Sequence, residues 1–301
     1  MRVIKPITVT DAILASSTIP EPDTGETVWT AGTYTLGTRR ILTSTHKIYE
    51  VVADPSTSDD PLTGIAKTPA TWVEVQPTNR WAMFDNVNST VSTGNNLTVS
   101  LTPGKVAAGL AAFGVSAESV NITCVSASAG EVYNRDIVML NNDAVADWYT
   151  YFFEPIVYID QFILTDLPAY SDLTVTITLN GANSSIGTLT IGNVIDLGVA
   201  LYGTNWQGLD FSKKERDQFG NVVLTQGRTA DRLDYNIHTD KGRFGYVKQQ
   251  LRLLTGVPSV WIGNPDDVND GTAVFGYYVD NQINIGNPAK LDVSITVESF
   301  I

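Results

Sequence analysis

The sequence predicts a mainly β protein, in which a small aromatic β-module is followed by a β-sandwich or jelly roll and by a C-terminal α+β part with one short helix. Apolar and polar residues alternate from Leu173 to Leu179 and from Val120 to Val125, and turn residues separate such runs at short intervals. Threonine is the usual polar residue of the alternation, which is typical of a sheet with one buried and one wet face. The stretch from Phe244 to Gly256 has helical spacing instead.

Composition narrows the class of protein. The 301 residues carry a net charge of −13, which argues against a protein that coats nucleic acid. No run approaches the roughly 18 apolar residues that span a bilayer, and the first residues lack the apolar core of a secretory signal. We therefore expect no nucleic-acid partner and no membrane insertion. The single cysteine, Cys124, excludes an intrachain disulfide, and its apolar setting predicts a buried side chain.

Residues 1–28 predict an extended N-terminal arm. The segment contains one short apolar patch and four residues that break regular structure, namely Pro6, Pro20, Pro22 and Gly25. Arms of this kind stay disordered alone and become ordered against a partner. We expect that deletion of residues 1–25 leaves a folded chain that cannot enter its assembly.

Residues 29–76 form the predicted aromatic module. Trp29, Tyr34 and Trp72 stand among short β-branched runs, and a turn-rich loop from Asp54 to Gly64 interrupts them. A module this small either packs its rings inward as a miniature core or displays them as a flat platform. Exposed Trp and Tyr rings stack on sugars or on other proteins, because they combine apolar area with a polar edge. The residues alone leave both arrangements open.

Residues 77–203 carry the strands of the predicted sandwich, and residues 204–301 complete it or pack on it. In the later region Val247, Leu251 and Leu254 define the helix. The alternation from Leu291 onward predicts a final strand that is paired rather than frayed.

The charge is unevenly spread along the chain. Segment 209–254 has nine Lys and Arg against six Asp and Glu, and the remainder therefore carries −16. An acidic body with one weakly basic segment suits docking between unlike surfaces of neighbouring subunits. A solvated loop of mixed charge explains the same pattern.

Candidates for catalysis are few. No Gly-x-Ser-x-Gly motif accompanies the two histidines, His46 and His238. Pairs of carboxylates, such as Asp143 with Asp147 and Asp231 with Asp234, are expected by chance among 32 acidic residues. Glycoside hydrolysis would need such a pair at about 5–10 Å. We expect no catalytic residue and, since phosphate-loop and dinucleotide motifs are missing, no cofactor.

One loop has the composition of an oxygen-ligand metal site. Its candidate ligands are Asp266, Asp267, Asn269 and Asp270. A twelve-residue calcium loop that begins at Asp267 needs an acid at position 278, where this chain has Tyr278. An Asn-Asp-Gly turn between two strands explains the same residues and is the favoured interpretation, so we expect no metal.

The pattern Trp29-x4-Tyr34-x2-Gly37, followed by Tyr49 and by Trp72-Val-Glu-Val75, resembles the small carbohydrate-binding modules of the chitin-binding type. Such modules occur on chitinases and on phage proteins. The resemblance implies that Trp29, Tyr34 and Trp72 are the glycan-contact candidates. In that family some matching aromatics are core and others form the sugar platform, so the role of each ring stays open.

A wider resemblance covers almost the whole chain. The runs that carry it are Val3–Leu14, Pro77–Asp85, Ile186–Gly203, Phe211–Asn221 and Pro258–Gly263. They resemble virion proteins of tailed bacteriophages and prophages. The resemblance implies a structural component of the tail tip, baseplate or adaptor region, with a galactose-binding-like jelly roll in its middle. Such a protein is made in the host bacterial cytoplasm and resides in the virion tail.

Three hypotheses follow for the function. The first is a non-enzymatic tail protein that contacts other tail proteins and copies of itself in a ring-like homo-oligomer. The alternative is a host-attachment protein that binds a surface glycan through Trp29, Tyr34 and Trp72. A cell-wall or capsule hydrolase is the third, and no motif supports it.

Overall fold

Antiparallel strands make up most of the computed structural model, which describes residues 1–87, 89–141, 147–153, 157–216, 218–266, 271–285 and 288–300. The strands of the first half are β1 (Arg2–Pro6), β2 (Leu14–Ser17), β3 (Tyr34–Thr35), β4 (Arg39–Leu42), β5 (Lys47–Val51), β6 (Ser56–Thr57), β7 (Trp72–Pro77), β8 (Ser92–Gly94), β9 (Thr98–Leu101), β10 (Gly109–Phe113), β11 (Ser119–Ser126), β12 (Gly130–Val138) and β13 (Leu140–Asn141). Those of the second half are β14 (Val157–Tyr158), β15 (Gln161–Leu164), β16 (Leu173–Asn180), β17 (Ser184–Ile186), β18 (Thr188–Asp196), β19 (Val199–Ala200), β20 (Asn205–Asp210), β21 (Lys213–Arg216), β22 (Val222–Thr225), β23 (Thr229–Asp240), β24 (Ser259–Ile262), β25 (Ala273–Asn284) and β26 (Lys290–Ser299).

Helices are short in the described part of the chain. They are α1 (Pro61–Ala66), α2 (Trp148–Phe153) and α3 (Phe244–Leu253), with 3₁₀ turns at Ala82–Phe84 and Lys241–Arg243. The predicted mainly β class is confirmed. No helix among the described residues combines the length and apolarity needed to cross a bilayer.

Two sheets pack around the first core. A ten-stranded sheet runs in the order β15-β10-β18-β1-β24-β25-β26-β23-β19, with β20 also paired to β23, and a five-stranded sheet runs β12-β11-β16-β9-β2. Alternate residues of β16, from Leu173 to Leu179, are buried against β10 and β18 of the larger sheet. Its outward threonines pair across strands, as in the hydrogen bond between the hydroxyls of Thr98 and Thr178. The predicted alternation is therefore confirmed, whereas the jelly-roll order of the strands stays a prediction.

The predicted helix is confirmed as α3 and covers a second core. Val247, Leu251 and Leu254 are all buried, together with Trp261 of β24. Gly256, at a φ of +67°, turns the chain just after the helix, as its position in the sequence predicts. Five strands of residues 204–301 belong to the ten-stranded sheet, so this region shares one sheet with the residues before it.

The predicted N-terminal arm is wrong. Strand β1 lies inside the ten-stranded sheet, with Ile4 opposite Val194 of β18 on one side and Val260 of β24 on the other. Val3 and Ile4 are fully buried, and β2 pairs with β9. The prolines suggested an arm, but Pro6 stands at the last residue of β1, where a missing backbone N–H is tolerated.

Candidate functional site

The three ring candidates of the aromatic module belong to its own core. Trp72 is fully buried, and its indole N–H donates to the backbone oxygen of Asp59 at 3.0 Å. The edge of Tyr34 meets the Trp72 ring with centroids 5.7 Å apart. Trp72 therefore has no surface for a sugar, and its prediction as a glycan contact is wrong.

Trp29 and Tyr34 are half-buried and pack on the same small core, which Tyr49 and Val51 complete. The Tyr34 hydroxyl donates to the backbone oxygen of Thr30 at 2.6 Å, and the Arg40 guanidinium lies 4.8 Å from the ring centroid. The hydrogen bonds with Thr30, with a smaller effect of Arg40, hold the pKa of Tyr34 below its usual value. The module thus packs its rings inward, and Trp29, Tyr34 and Trp72 do not form one exposed platform.

A buried carboxylate joins the module to the sandwich. Glu21, whose side chain is 6% exposed, accepts hydrogen bonds from the Thr78 hydroxyl at 2.7 Å and the Trp81 indole at 3.1 Å. It also pairs with Nδ1 of His46 at 2.9 Å, and the His46 ring stacks on Trp81 with centroids 4.1 Å apart. The other ring nitrogen of His46 faces Asp11 at 3.2 Å. These contacts give His46 a structural role at the junction.

A polar cleft of about 790 Å³ lies beside this junction. Arg39 and Arg40 line one part of it, and Asn79 lines another. Asn79 is fixed by Asp23, whose carboxylate accepts from its side-chain amide, and by Glu26, whose carboxylate accepts from its backbone N–H at 2.8 Å. These two carboxylates thus tie the segment before the module to the residues that follow it.

The other residues considered for catalysis do not lie together in one site. His238 Nδ1 contacts the Asp292 carboxylate at 2.7 Å, on a different strand pair from His46. Asp231 accepts from the Trp206 indole at 3.0 Å, whereas Asp234 accepts from the Thr296 hydroxyl at 2.5 Å. Three residues apart on one strand, these two carboxylates project from opposite faces.

Other predicted sites lie partly beyond the described residues. Asp143 of the second carboxylate pair lies outside them, as do Asp267, Asn269 and Asp270 of the candidate metal loop. The backbone N–H of Asp266 donates to the Asn264 side chain at 3.2 Å, which is a turn contact. Within the described ranges no group of three His, Cys, Asp or Glu is arranged to hold a metal ion.

Cys124 is fully buried in β11, as the sequence predicts. Burial, with a smaller contribution from Asp166, raises the pKa of its thiol to about 11. The neutral thiol therefore packs as a small apolar side chain.

Residues 199–229 form an exposed β-segment, part of which belongs to the weakly basic segment 209–254, for which the sequence left docking and a solvated loop open. None of the described residues in this range is buried. Trp206 is 65% exposed, Phe219 80% and Leu224 68%. Strands β21 and β22 pair with each other as a two-stranded hairpin, and no further strand joins them in the described part of the chain.

A second exposed element, helix α2, is absent from the sequence predictions. Its aromatic residues Trp148, Tyr149, Phe152 and Phe153 are each 67–77% exposed. They contact each other in pairs four residues apart: Trp148 and Phe152 are stacked with centroids 6.1 Å apart, and Tyr149 and Phe153 are tilted with centroids 5.0 Å apart. The signal that could have found it is the density of aromatics in Trp-Tyr-Thr-Tyr-Phe-Phe, which no strand pattern explains.

The segment that follows α2 and the base of the hairpin meet at one cleft of about 200 Å³. Asp160 and Gln161, which follow the strand after α2, line it together with Thr229, the residue paired with Asp210 at the base of the hairpin segment. We call the hairpin (residues 211–228) and helix α2 together the apolar end.

Fold and surfaces define a mainly β protein that packs the rings of its small module inward and exposes an apolar end. Comparison of the chain with models of known protein families gives no match, and comparison with curated proteins gives none either.

Proposed function

We propose that this chain is a non-enzymatic structural subunit of a bacteriophage tail, in the tip, baseplate or adaptor region, where it contacts neighbouring subunits. The observation that carries the subunit role is the apolar end, in which a hairpin and an aromatic helix expose most of their apolar side chains. The resemblance of five long runs to virion proteins supports the tail as the assembly. Synthesis in the host bacterial cytoplasm and residence in the virion belong to the same proposal.

Energetics support a covered rather than a free apolar end. Ordering a residue costs about 1–2 kcal/mol of backbone entropy, and a two-stranded hairpin alone is marginal in water. The two strands of the hairpin, β21 and β22, have no buried side chain to offset that cost. A contiguous exposed patch of large apolar side chains is typical of an interaction site. A neighbouring protein surface supplies the missing burial.

The glycan-binding alternative loses its main support. It requires rings on a platform, whereas Trp72 is fully buried and Tyr34 is covered by Trp72 and Arg40. We therefore rank it below the structural role, with other tail proteins and copies of the chain as the proposed partners.

The test removes the hairpin from the full chain and measures incorporation into tails. Residues 211–228 are replaced by Asn-Gly, which closes the strand pair that ends at Asp210 and Thr229. Because the replaced residues include no described buried side chain, we expect an unchanged far-UV circular dichroism spectrum. In complementation of particles that lack the chain, immunoblotting of purified tails should show a loss of incorporation.

The control substitutes Leu36 and Leu62 by Ser. Both are more than half exposed but lie on the aromatic module, so this variant should be incorporated normally. Normal incorporation of the hairpin deletion would contradict the structural proposal. So would turnover of a polysaccharide by the purified chain that is lost on substitution of one carboxylate.

A further inference from the structure

We infer that two copies of this chain bind each other through their apolar ends, with the hairpin of each copy packed against helix α2 of the other. The inference deepens the proposed function and rests on it, since it names one of the neighbours that a subunit would contact. Three observations carry it: opposite charge on the two elements, a matching apolar face, and a common position at one cleft.

The two elements differ in the sign of their charge. The stretch 142–160, which contains α2, has no Lys or Arg and four acids, namely Asp143, Asp147, Glu154 and Asp160. The hairpin has four cations against two acids, and these are Lys213, Lys214, Arg216 and Arg228 with Glu215 and Asp217. Opposite potentials attract two surfaces and fix their register. An anionic lipid surface is a poor occupant for an acid-flanked aromatic helix, because like charges repel.

One face of the hairpin matches the aromatic rings. Residues directly opposite in an antiparallel pair share a face, and the pairs Lys214–Leu224 and Arg216–Val222 alternate with Lys213–Thr225 and Glu215–Val223. The first two pairs combine two cations with two aliphatic side chains. Such a face fits Trp, Tyr and Phe rings through apolar burial and cation–π contact.

The opposite face of the hairpin is a poorer fit. There Lys213 forms an ion pair with Glu215 at 2.8 Å on the same face, whereas the first face carries no acid of its own and its Lys214 pairs with Asp210 of β20 at 2.7 Å. The two faces carry different chemistry on the same two strands. They therefore supply a matched control.

The hairpin and the segment after α2 meet the body at one cleft, and this common position makes a contact between two copies reciprocal. The segment that follows α2 and the base of the hairpin line the same cleft, through Asp160, Gln161 and Thr229. Two copies that face each other through this end bring each hairpin against the partner copy's α2. Such a contact is isologous and closes at two copies, because the same patch is used on both sides.

The experiment measures the mass of the full chain in solution by sedimentation equilibrium and native mass spectrometry. The aromatic variant carries W148S and F152S, and the hairpin variant carries R216E and L224S. The control variant carries K213E and V223S on the opposite face. All six positions are exposed, so each variant should keep the circular dichroism spectrum of the parent.

We expect the parent chain to form dimers and each of the first two variants to raise the dimer Kd by about tenfold or more, as the loss of buried aromatic or Arg anchors does. The control variant should dimerise like the parent. A mixture of the aromatic and the hairpin variants should form mixed dimers more readily than either forms its own, because a mixed dimer retains one intact hairpin-to-α2 contact.

A parent chain that is monomeric at about 100 μM, far above the Kd of a specific standard-size interface, would overturn the inference. Dimers that both variants leave unchanged, or a mixture that gains no mixed dimer, would overturn it as well. The proposed function is tested separately by incorporation. A monomeric chain whose hairpin deletion still abolishes incorporation would overturn self-association alone and leave the structural role supported.

Discussion

Gly64 shows how a single residue makes room for the core of the aromatic module. It lies in helix α1 and is buried, and a Cβ at this position would stand 2.3 Å from Cδ1 of Trp72 and 2.6 Å from the Thr71 hydroxyl. Trp72 cannot withdraw, because its indole N–H is bonded to Asp59 and its other side meets Tyr34. The absence of a side chain at Gly64 is therefore a condition for burying the largest ring of the module.

We expect Gly64→Ala to lower the free energy of unfolding by about 1–3 kcal/mol, since overpacking displaces Trp72. The measurement is urea unfolding followed by tryptophan fluorescence. Gly245→Ala is the matched control: this glycine also lies in a helix, and nothing stands within 4 Å of its added Cβ. The control should be neutral or stabilising by up to about 1 kcal/mol, because alanine favours the helix. Equal effects of the two substitutions would refute the packing argument.

At the scale of single residues, the sequence could predict the burial of a side chain such as Cys124, but it could not predict which residues contact each other. It predicted a buried thiol at Cys124, which the structure confirms. For Trp72 it left core and platform open, because the choice depends on Gly64 and Asp59, which surround the ring only after the loop has folded. Likewise, nothing in the spacing of Glu21 and His46 indicates that they meet.

At the scale of elements, the junction between module and sandwich depends on the buried carboxylate of Glu21. Its two oxygens receive donors from two segments of the chain, through Thr78 and Trp81 of one turn and through His46 of the module. An amide in its place would set an NH₂ group against at least one of those donors. A buried donor without an acceptor costs about 1–3 kcal/mol.

We expect Glu21→Gln to loosen the module and to speed amide hydrogen exchange at residues 78–81 by about tenfold or more, which is the factor that a loss of about 1.4 kcal/mol produces. Asp11→Asn is the matched control, because Asp11 faces the other nitrogen of the same His46 ring but is 80% exposed. Surface pairs of this kind contribute little, so exchange in the control should match the parent. Hydrogen exchange read by mass spectrometry checks both.

Helices and strands whose apolar residues recur with a clear period were predictable from the sequence, and those without such a period were not. Strand β16 and helix α3 each bury one regular face. The buried residues recur in the sequence with a period of two in the strand and of 3.6 in the helix, so both elements could be predicted. The described side chains of helix α2 and of the hairpin β21–β22 form no buried face, so no period reveals these elements. These two are also the elements on which the proposed function rests.

At the scale of the whole molecule, β1 holds the ten-stranded sheet together. Among the described strands it is the one link between β18 and β24 in the strand order, so without it the sheet divides into two parts with unpaired edges. Val3 and Ile4, both fully buried, serve different cores on its two faces.

We expect deletion of residues 1–8 to abolish folding, seen as loss of the β signal in circular dichroism and as aggregation in gel filtration. The earlier expectation of a folded chain after deletion of residues 1–25 is thereby reversed. The hairpin replacement at residues 211–228 removes more of the chain but no described buried side chain, and it should stay folded. A folded, monomeric product of the shorter deletion would contradict the central role of β1.

The boundaries of whole regions could not be predicted from composition. Prolines made residues 1–28 resemble an arm, yet the two strands there pair with partners remote in sequence. Pairing across such distances leaves no local trace, because each strand looks the same whether its neighbour is adjacent or far along the chain.

The position of β1 also constrains biosynthesis. Ile4 pairs with Val260, so the strand leaves the ribosome about 250 residues before its second neighbour does. At roughly 5–20 residues per second, it waits on the order of 12–50 s with an apolar edge uncovered. Until translation is nearly complete, that strand is an unpaired apolar edge, which makes the nascent chain prone to aggregation.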